Sequence, residues 1–302
     1  MNTIKEKWIK ELGYPEEKIT VNELILTNKY ECDDFIVEMY NLKKHPTGEM
    51  RVSLAIPKNL KVPAPAVIVP FYHAENMLGI NHENGEIHER YSKYPIMADL
   101  AKRGYITISA DAYPYQYISL DKEKNYKGFG VWECAAKYLK EEHPHLMGIG
   151  RLTYDTMLLC DVLCDDNRVD KEKIGIMGHS LGGKMAFYTG CLDERIKVIV
   201  ASDFGIGWDQ TNWQDIWYWG DYVNVLKEKG MEHSELLGAS PRIPFCLIAG
   251  EFDNDDSWKM MLKAKDYEKD DERLKIINHA TGHTPPKDAL EEAYCFIDKF
   301  LN

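Results

Sequence analysis

From residue 66 onward, short unbroken apolar runs alternate with segments whose apolar residues recur every three or four positions. The runs cover 66–70, 105–110, 173–177, 196–201, 244–249 and 274–277. Runs of this length suit strands buried on both faces of a parallel sheet. The periodic segments at 96–103, 152–164, 183–190, 258–267 and 287–301 predict helices. The first part of the chain reads differently. Residues 1–20 suggest a short helix and a loop, whereas 34–40 and 50–56 alternate apolar and polar positions around the turn cluster His45-Pro46-Thr47-Gly48. That pattern predicts an antiparallel hairpin.

Strands alternating with helices predict an α/β fold: a doubly wound, mainly parallel sheet with helices on both faces. Ligands then gather at the C-terminal ends of the strands. The alternation is interrupted at 71–92, at 205–240 and, by a partly helical stretch, at 111–150. Loops this long in a compact α/β domain usually cover a site. The expected organisation is one domain over 1–302, with an N-terminal helix and hairpin (1–56) and a cap-like insert at about 205–240.

Charge narrows the function. The 302 residues carry a formal net charge of -12, which argues against nucleic acid and anionic membrane surfaces as partners, since both need a basic face. No stretch approaches the roughly 20 apolar residues that span a bilayer, and charged residues occupy the N-terminus where a secretory segment would be apolar. The seven cysteines, odd in number, read as free thiols. Cys160 and Cys164 fall on an apolar helical pattern and read as core. The expected compartment is the cytoplasm.

The candidate chemistry centres on Gly178-His179-Ser180-Leu181-Gly182, set between an apolar run and a helical segment. Strand, G-x-S-x-G, helix is the setting of a nucleophile elbow, a strained turn that holds a serine clear of the backbone. Gly178 and Gly182 remove side chains where strand and helix pass closely. A phosphate-binding loop is the alternative, but no Walker or dinucleotide spacing surrounds the motif.

A serine nucleophile needs a base, and the base needs an orienting acid. The order Ser, Asp, His is available here. The run at 244–249 leads into Gly250-Glu251-Phe252-Asp253-Asn254-Asp255-Asp256, and the run at 274–277 into Asn278-His279-Ala280-Thr281-Gly282-His283. Asp253 is the preferred acid, with Asp255 and Asp256 as rivals. His283, deeper in its loop, is preferred to His279.

On these residues the chain resembles the α/β-hydrolase superfamily, in its dienelactone-hydrolase-like and acetyl xylan esterase-like branch. The resemblance spans roughly 35–302 and rests on Gly178–Gly183, Gly250-Glu251-Phe252-Asp253, Gly282-His283 and 192–197. It implies an oxyanion hole made by the Leu181 N–H and a donor from the loop after 66–70. Many relatives carry His-Gly in that loop; this chain has Pro70-Phe71-Tyr72-His73-Ala74, which leaves Tyr72 and His73 as candidates. The resemblance implies hydrolysis of a small-molecule carboxylic ester through an acyl-enzyme, with no metal or organic cofactor. An acetylated or aromatic-acylated carbohydrate is the favoured substrate. Lactone cleavage, a peptidase or amidase of prolyl-oligopeptidase type, and a noncatalytic binding protein on the same fold are the alternatives. Oligomeric state is not indicated.

Four of the seven tryptophans, Trp208, Trp213, Trp217 and Trp219, lie within twelve residues of the insert. They suit either a substrate wall or the packing of the insert onto the body. Asp203, Asp209 and Asp215 could meet polyol hydroxyls or simply be solvated. Lys184 reads as a solvent-facing residue of the nucleophile helix, with carboxylate binding as the minority reading, and His179 as packing beside the nucleophile. The cluster His82, Glu83, Glu86, His88 and Glu89 lacks the zinc-site spacing H-E-x-x-H.

Overall fold

A computed structural model describes residues 3–13, 23–43, 49–81, 84–117, 129–240, 242–264 and 271–302. Helix α1 (Thr3–Leu12) leads into β1 (Glu23–Glu31), β2 (Phe35–Lys43) and β3 (Met50–Pro57). These strands pair antiparallel in sequence order. The expected hairpin is therefore one half of a three-stranded meander, and its turn cluster at 45–48 lies outside the described residues. Strand β1 lacks the alternating pattern of its neighbours because two exposed apolar residues, Ile25 and Leu26, sit side by side in it.

The α/β part follows: β4 (Ala64–Ile68), α2 (Ile96–Lys102), β5 (Ile106–Ala110), α3 (Tyr113–Tyr117), α4 (Gly130–Glu142), α5 (Gly148–Asp165), β6 (Val169–His179), α6 (Leu181–Leu192) and β7 (Ile196–Ser202). The chain closes with α7 (Tyr222–Glu228), α8 (His233–Gly238), β8 (Phe245–Ala249), α9 (Asp255–Leu262), β9 (Leu274–Asn278) and α10 (Lys287–Leu301). All nine strands form one sheet in the order β1-β2-β3-β5-β4-β6-β7-β8-β9. Strands β5, β4, β6, β7, β8 and β9 run parallel. This is the doubly wound, mainly parallel sheet of an α/β-hydrolase fold.

Two apolar layers hold the sheet. The period of two along each strand divides its residues between them. In β4, Ala66 and Ile68 join the layer under α1, α4, α5 and α6, while Val67 joins the one under α2 and α10. In β7, Ile199 and Ala201 face the first layer, Val198 and Val200 the second. Unbroken apolar runs were thus a sound sign of strands covered on both faces.

Candidate active site

Strand β6 ends at His179 and helix α6 begins at Leu181, so Ser180 alone makes the turn. Its backbone lies at φ 56°, ψ −116°, a region that costs a non-glycine residue about 1–3 kcal/mol and is kept only where its surroundings enforce it. The enforcement is visible. The Ser180 N–H donates to the Ser202 carbonyl at 2.8 Å, tying the turn to the end of β7. A Cβ on Gly178 would lie 2.0 Å from the Gly182 carbonyl oxygen, and one on Gly182 would lie 2.0 Å from that of Pro70. Both glycines are therefore required by backbone contact.

The imidazole of His283, in the loop between β9 and α10, bridges two groups. Its Nε2 lies 2.9 Å from Ser180 Oγ, and its Nδ1 lies 2.6 Å from an Asp203 carboxylate oxygen. Asp203 directly follows β7, the strand beside the elbow strand, and takes a left-handed conformation at φ 43°.

The acid facing the imidazole is thus Asp203, which corrects the expectation of Asp253. Asp253 is fully buried with its carboxylate turned elsewhere. It accepts the backbone N–H of Gly205 (2.8 Å) and of Ile206 (2.9 Å), and the Ser257 hydroxyl (2.9 Å). Asp203 in turn accepts backbone N–H groups of residues 250–253. Asp255 and Asp256 open α9, and Asp256 pairs with Lys259 at 2.6 Å. Burial raises the pKa of Asp203, but the hydrogen bonds from His283 and from the backbone of Asp253, Glu251 and Phe252 outweigh it, and the pKa falls below the ordinary value. Burial pushes that of Asp253 up. A sequence signal for Asp203 existed: it too ends a parallel strand, on the edge where the elbow lies.

His279 bonds to the Thr281 hydroxyl through Nδ1, and no contact joins it to Ser180. His179 is buried beside the His283 ring, 4.6 Å between centroids, with Nδ1 3.0 Å from Ser202 Oγ. Burial, with His283 adding, lowers its pKa to about 3, so it stays neutral.

Ser180 and His283 open into a cavity of about 550 Å³. Leu181 is the first residue of α6, so its N–H is among the four without an intrahelical acceptor. Tyr72 lines this cavity. Burial raises its phenol to about 12, leaving a hydroxyl able to donate. His73 does not line it. Its ring stacks on Tyr115 at 3.9 Å and its Nδ1 lies 3.6 Å from Asp111, in an adjoining chamber. The His73 side chain is therefore outside the cavity onto which Ser180 opens.

Of the four tryptophans, Trp217 lines the cavity. Trp208, Trp213 and Trp219 do not, which corrects their reading as substrate contacts. They pack with Trp8 of α1 around the buried His233 and Tyr188, as an aromatic core fixing the insert to the body. Asp209 pairs with Lys227, and Asp215 accepts a hydrogen bond from Asn212. Lys184 is not solvent-facing. It is 2% exposed, donates to the Phe204 carbonyl at 2.8 Å, lies 4.4 Å from the centroid of the Trp213 ring, and lines the cavity. Burial brings its pKa down to about 7. Glycines next to the serine disguised a helix covered on every side. Among the described residues no group of three or more His, Cys, Asp or Glu could hold a metal; His82 and Glu83 lie outside them. No helix among these residues is long and apolar enough to cross a membrane.

Residues 5–205 match the model of the family described as acetyl xylan esterase (AXE1). The chain belongs to the acetyl xylan esterase (AXE1) family, a family of carboxylic ester hydrolases. Residues 150–300 also match the prolyl oligopeptidase family, whose match begins in α5 and takes in the elbow. Over 178 residues the chain is 29% identical to "Putative hydrolase YtaP" of Bacillus subtilis (strain 168), covering 56% of this chain and 53% of that one. The chain thus matches about half the length of this curated relative. Among solved structures, a "putative acetyl xylan esterase" from Bacteroides fragilis NCTC 9343 superposes with a TM-score of 0.73 at 17% identity, over 93% of this chain and 75% of the other. A glucuronoyl esterase from Solibacter usitatus gives 0.66 at 13%, over 98% and 90%. At these identities the likeness concerns the fold.

Proposed function

We propose that the protein is a serine esterase acting on an acylated carbohydrate, with Ser180, His283 and Asp203 as its triad. The observation that carries this reading is the imidazole held between Ser180 Oγ at 2.9 Å and Asp203 at 2.6 Å. Ser180 Oγ attacks the ester carbonyl while His283 Nε2 takes its proton. Asp203 keeps Nδ1 protonated and stabilises the imidazolium. The oxyanion is received by the Leu181 N–H and by the Tyr72 segment. His283 returns the proton to the departing alkoxide, the alcohol leaves, and Ser180 carries the acyl group. Water then attacks, again through His283, and releases the acid. Membership of the acetyl xylan esterase family favours an acetyl ester of a sugar, and Trp132 and Trp217 give the cavity aromatic faces that suit a sugar ring. The reading includes one domain across the chain, with residues 205–240 as its cap. It makes no use of a metal or cofactor.

A fluorophosphonate probe should label wild-type protein and not Ser180→Ala. Acetylated xylo-oligosaccharide should release acetate with wild-type protein only. Labelling of Ser180→Ala at the same rate would remove the mechanism. The prolyl oligopeptidase match supports a second reading, amide cleavage, for which a peptide p-nitroanilide would outpace the acetyl ester.

A further inference from the structure

The catalytic cavity does not end at Trp132. Tyr72, Arg90, Phe129 and Trp132 form its wall and also the wall of a second chamber of about 430 Å³. Among the described residues, 20 line the two chambers. None of these is Asp or Glu, whereas the whole chain has 49 Asp and Glu against 37 Lys and Arg. At that overall frequency about three acids would be expected among twenty residues. Among the described residues this lining holds no acid in a chain of net charge -12, and a surface of locally reversed sign concentrates oppositely charged ligands.

Arg90 stands at the junction. Its guanidinium lies 5.9 Å from the centroid of the Tyr91 ring, and among the described residues no carboxylate lies within 4.0 Å of it. Arginine keeps its charge at every physiological pH and forks readily onto a carboxylate. The far chamber is otherwise polar and aromatic. Tyr91 and Tyr115 offer ring faces, and Asn81 and His88 offer polar atoms. Asn76 lines it while 2% exposed, and its side-chain oxygen is buried without a hydrogen-bond partner. Leaving such a group unmet costs about 1–3 kcal/mol, and a small turn of the amide would bring it to a ligand hydroxyl.

We propose that the far chamber is a subsite for an acidic sugar attached to the ester-bearing unit, its free carboxylate held by Arg90 and its hydroxyls by Asn76 and its neighbours. This rests on the esterase reading and adds to it: the substrate carries a negative charge remote from the bond that is cut.

The test uses two ligands that differ only at C6, a carboxylate in one and a hydroxymethyl group in the other. Methyl glucuronoside and methyl glucoside are compared as inhibitors of p-nitrophenyl acetate hydrolysis. The glucuronoside should inhibit about tenfold more tightly in 20 mM salt, with the difference shrinking in 0.5 M salt. Arg90→Gln should abolish the difference, and Arg90→Lys should keep part of it. In Asn76→Leu both sugars should bind more weakly, whereas Asn76→Asp, which places a carboxylate in the chamber, should disfavour the glucuronoside selectively. Equal inhibition by the two glycosides, or a preference untouched by Arg90→Gln, overturns the subsite while leaving the esterase intact. If no ester is turned over, the esterase reading fails separately. The same two glycosides are then titrated against tryptophan fluorescence of Ser180→Ala, where equal binding again overturns the subsite.

Discussion

Asp203 and Asp253 each fasten the loop that carries the other. The Asp203 carboxylate accepts backbone N–H groups at 250–253, and the Asp253 carboxylate accepts those of Gly205 and Ile206. Of the two, only Asp203 meets His283. The two aspartates should therefore separate in their effects. Asp203→Asn is expected to lower kcat by roughly 10³–10⁴-fold, because the amide can fix the wrong imidazole tautomer. Asp253→Asn is expected to cost about 1–3 kcal/mol of stability with a far smaller change in kcat. Steady-state kinetics and urea unfolding of both variants check this, and the reverse ranking would restore Asp253 as the acid.

Two buried histidines should make the fold acid-sensitive. His179 and His233 have pKa values lowered to about 3, chiefly by burial. In the unfolded chain they titrate near 6.5. Between these values the unfolded state holds protons that the folded state refuses, so stability falls as pH drops from about 6.5 toward 3. Each histidine contributes about 1.4 kcal/mol per pH unit in that window. His233→Gln should flatten the pH dependence of unfolding free energy between pH 4 and 6 by about that amount per unit. An unchanged slope would show that His233 is protonated when folded.

Lys184 works at the other end of the scale. Its pKa is about 7 when folded, by burial, and near 10.5 when unfolded. Between the two the unfolded state again binds the extra proton, so stability should rise with pH from about 7 to 10. The comparison is between wild type and Lys184→Met, which keeps the volume without the charge. The wild type should gain relative to the variant over that interval. Parallel curves would mean that Lys184 stays charged in its aromatic surroundings.

The elbow should tolerate no Cβ at Gly182. An added methyl meets the Pro70 carbonyl oxygen at 2.0 Å, and a backbone atom cannot swing aside. Gly182→Ala is expected to lower Tm by several degrees and to reduce esterase activity more than its stability loss explains, since Pro70 leads directly into the Tyr72 segment. Thermal unfolding and kcat at a temperature where the variant is folded distinguish the two effects. Wild-type values for both would contradict the contact.

The sequence by itself determined the layered fold, the serine and its histidine. Runs such as 196–201 and 244–249 are apolar because both faces of each strand are covered, and Gly178 is dictated by the Gly182 carbonyl four residues on. These are local causes, and they leave local marks. Only the tertiary structure decided which acid meets His283. Asp203 and Asp253 both follow parallel strands, and the choice turns on which carboxylate the crossed loops bring up to the imidazole. It also decided that Trp208, Trp213 and Trp219 pack around His233 and Tyr188 while Trp217 alone of the four reaches the cavity, that Lys184 is covered by the insert, and that the His73 ring belongs to a neighbouring chamber. Each of these depends on how distant segments pack against one another, which spacing along the chain does not record.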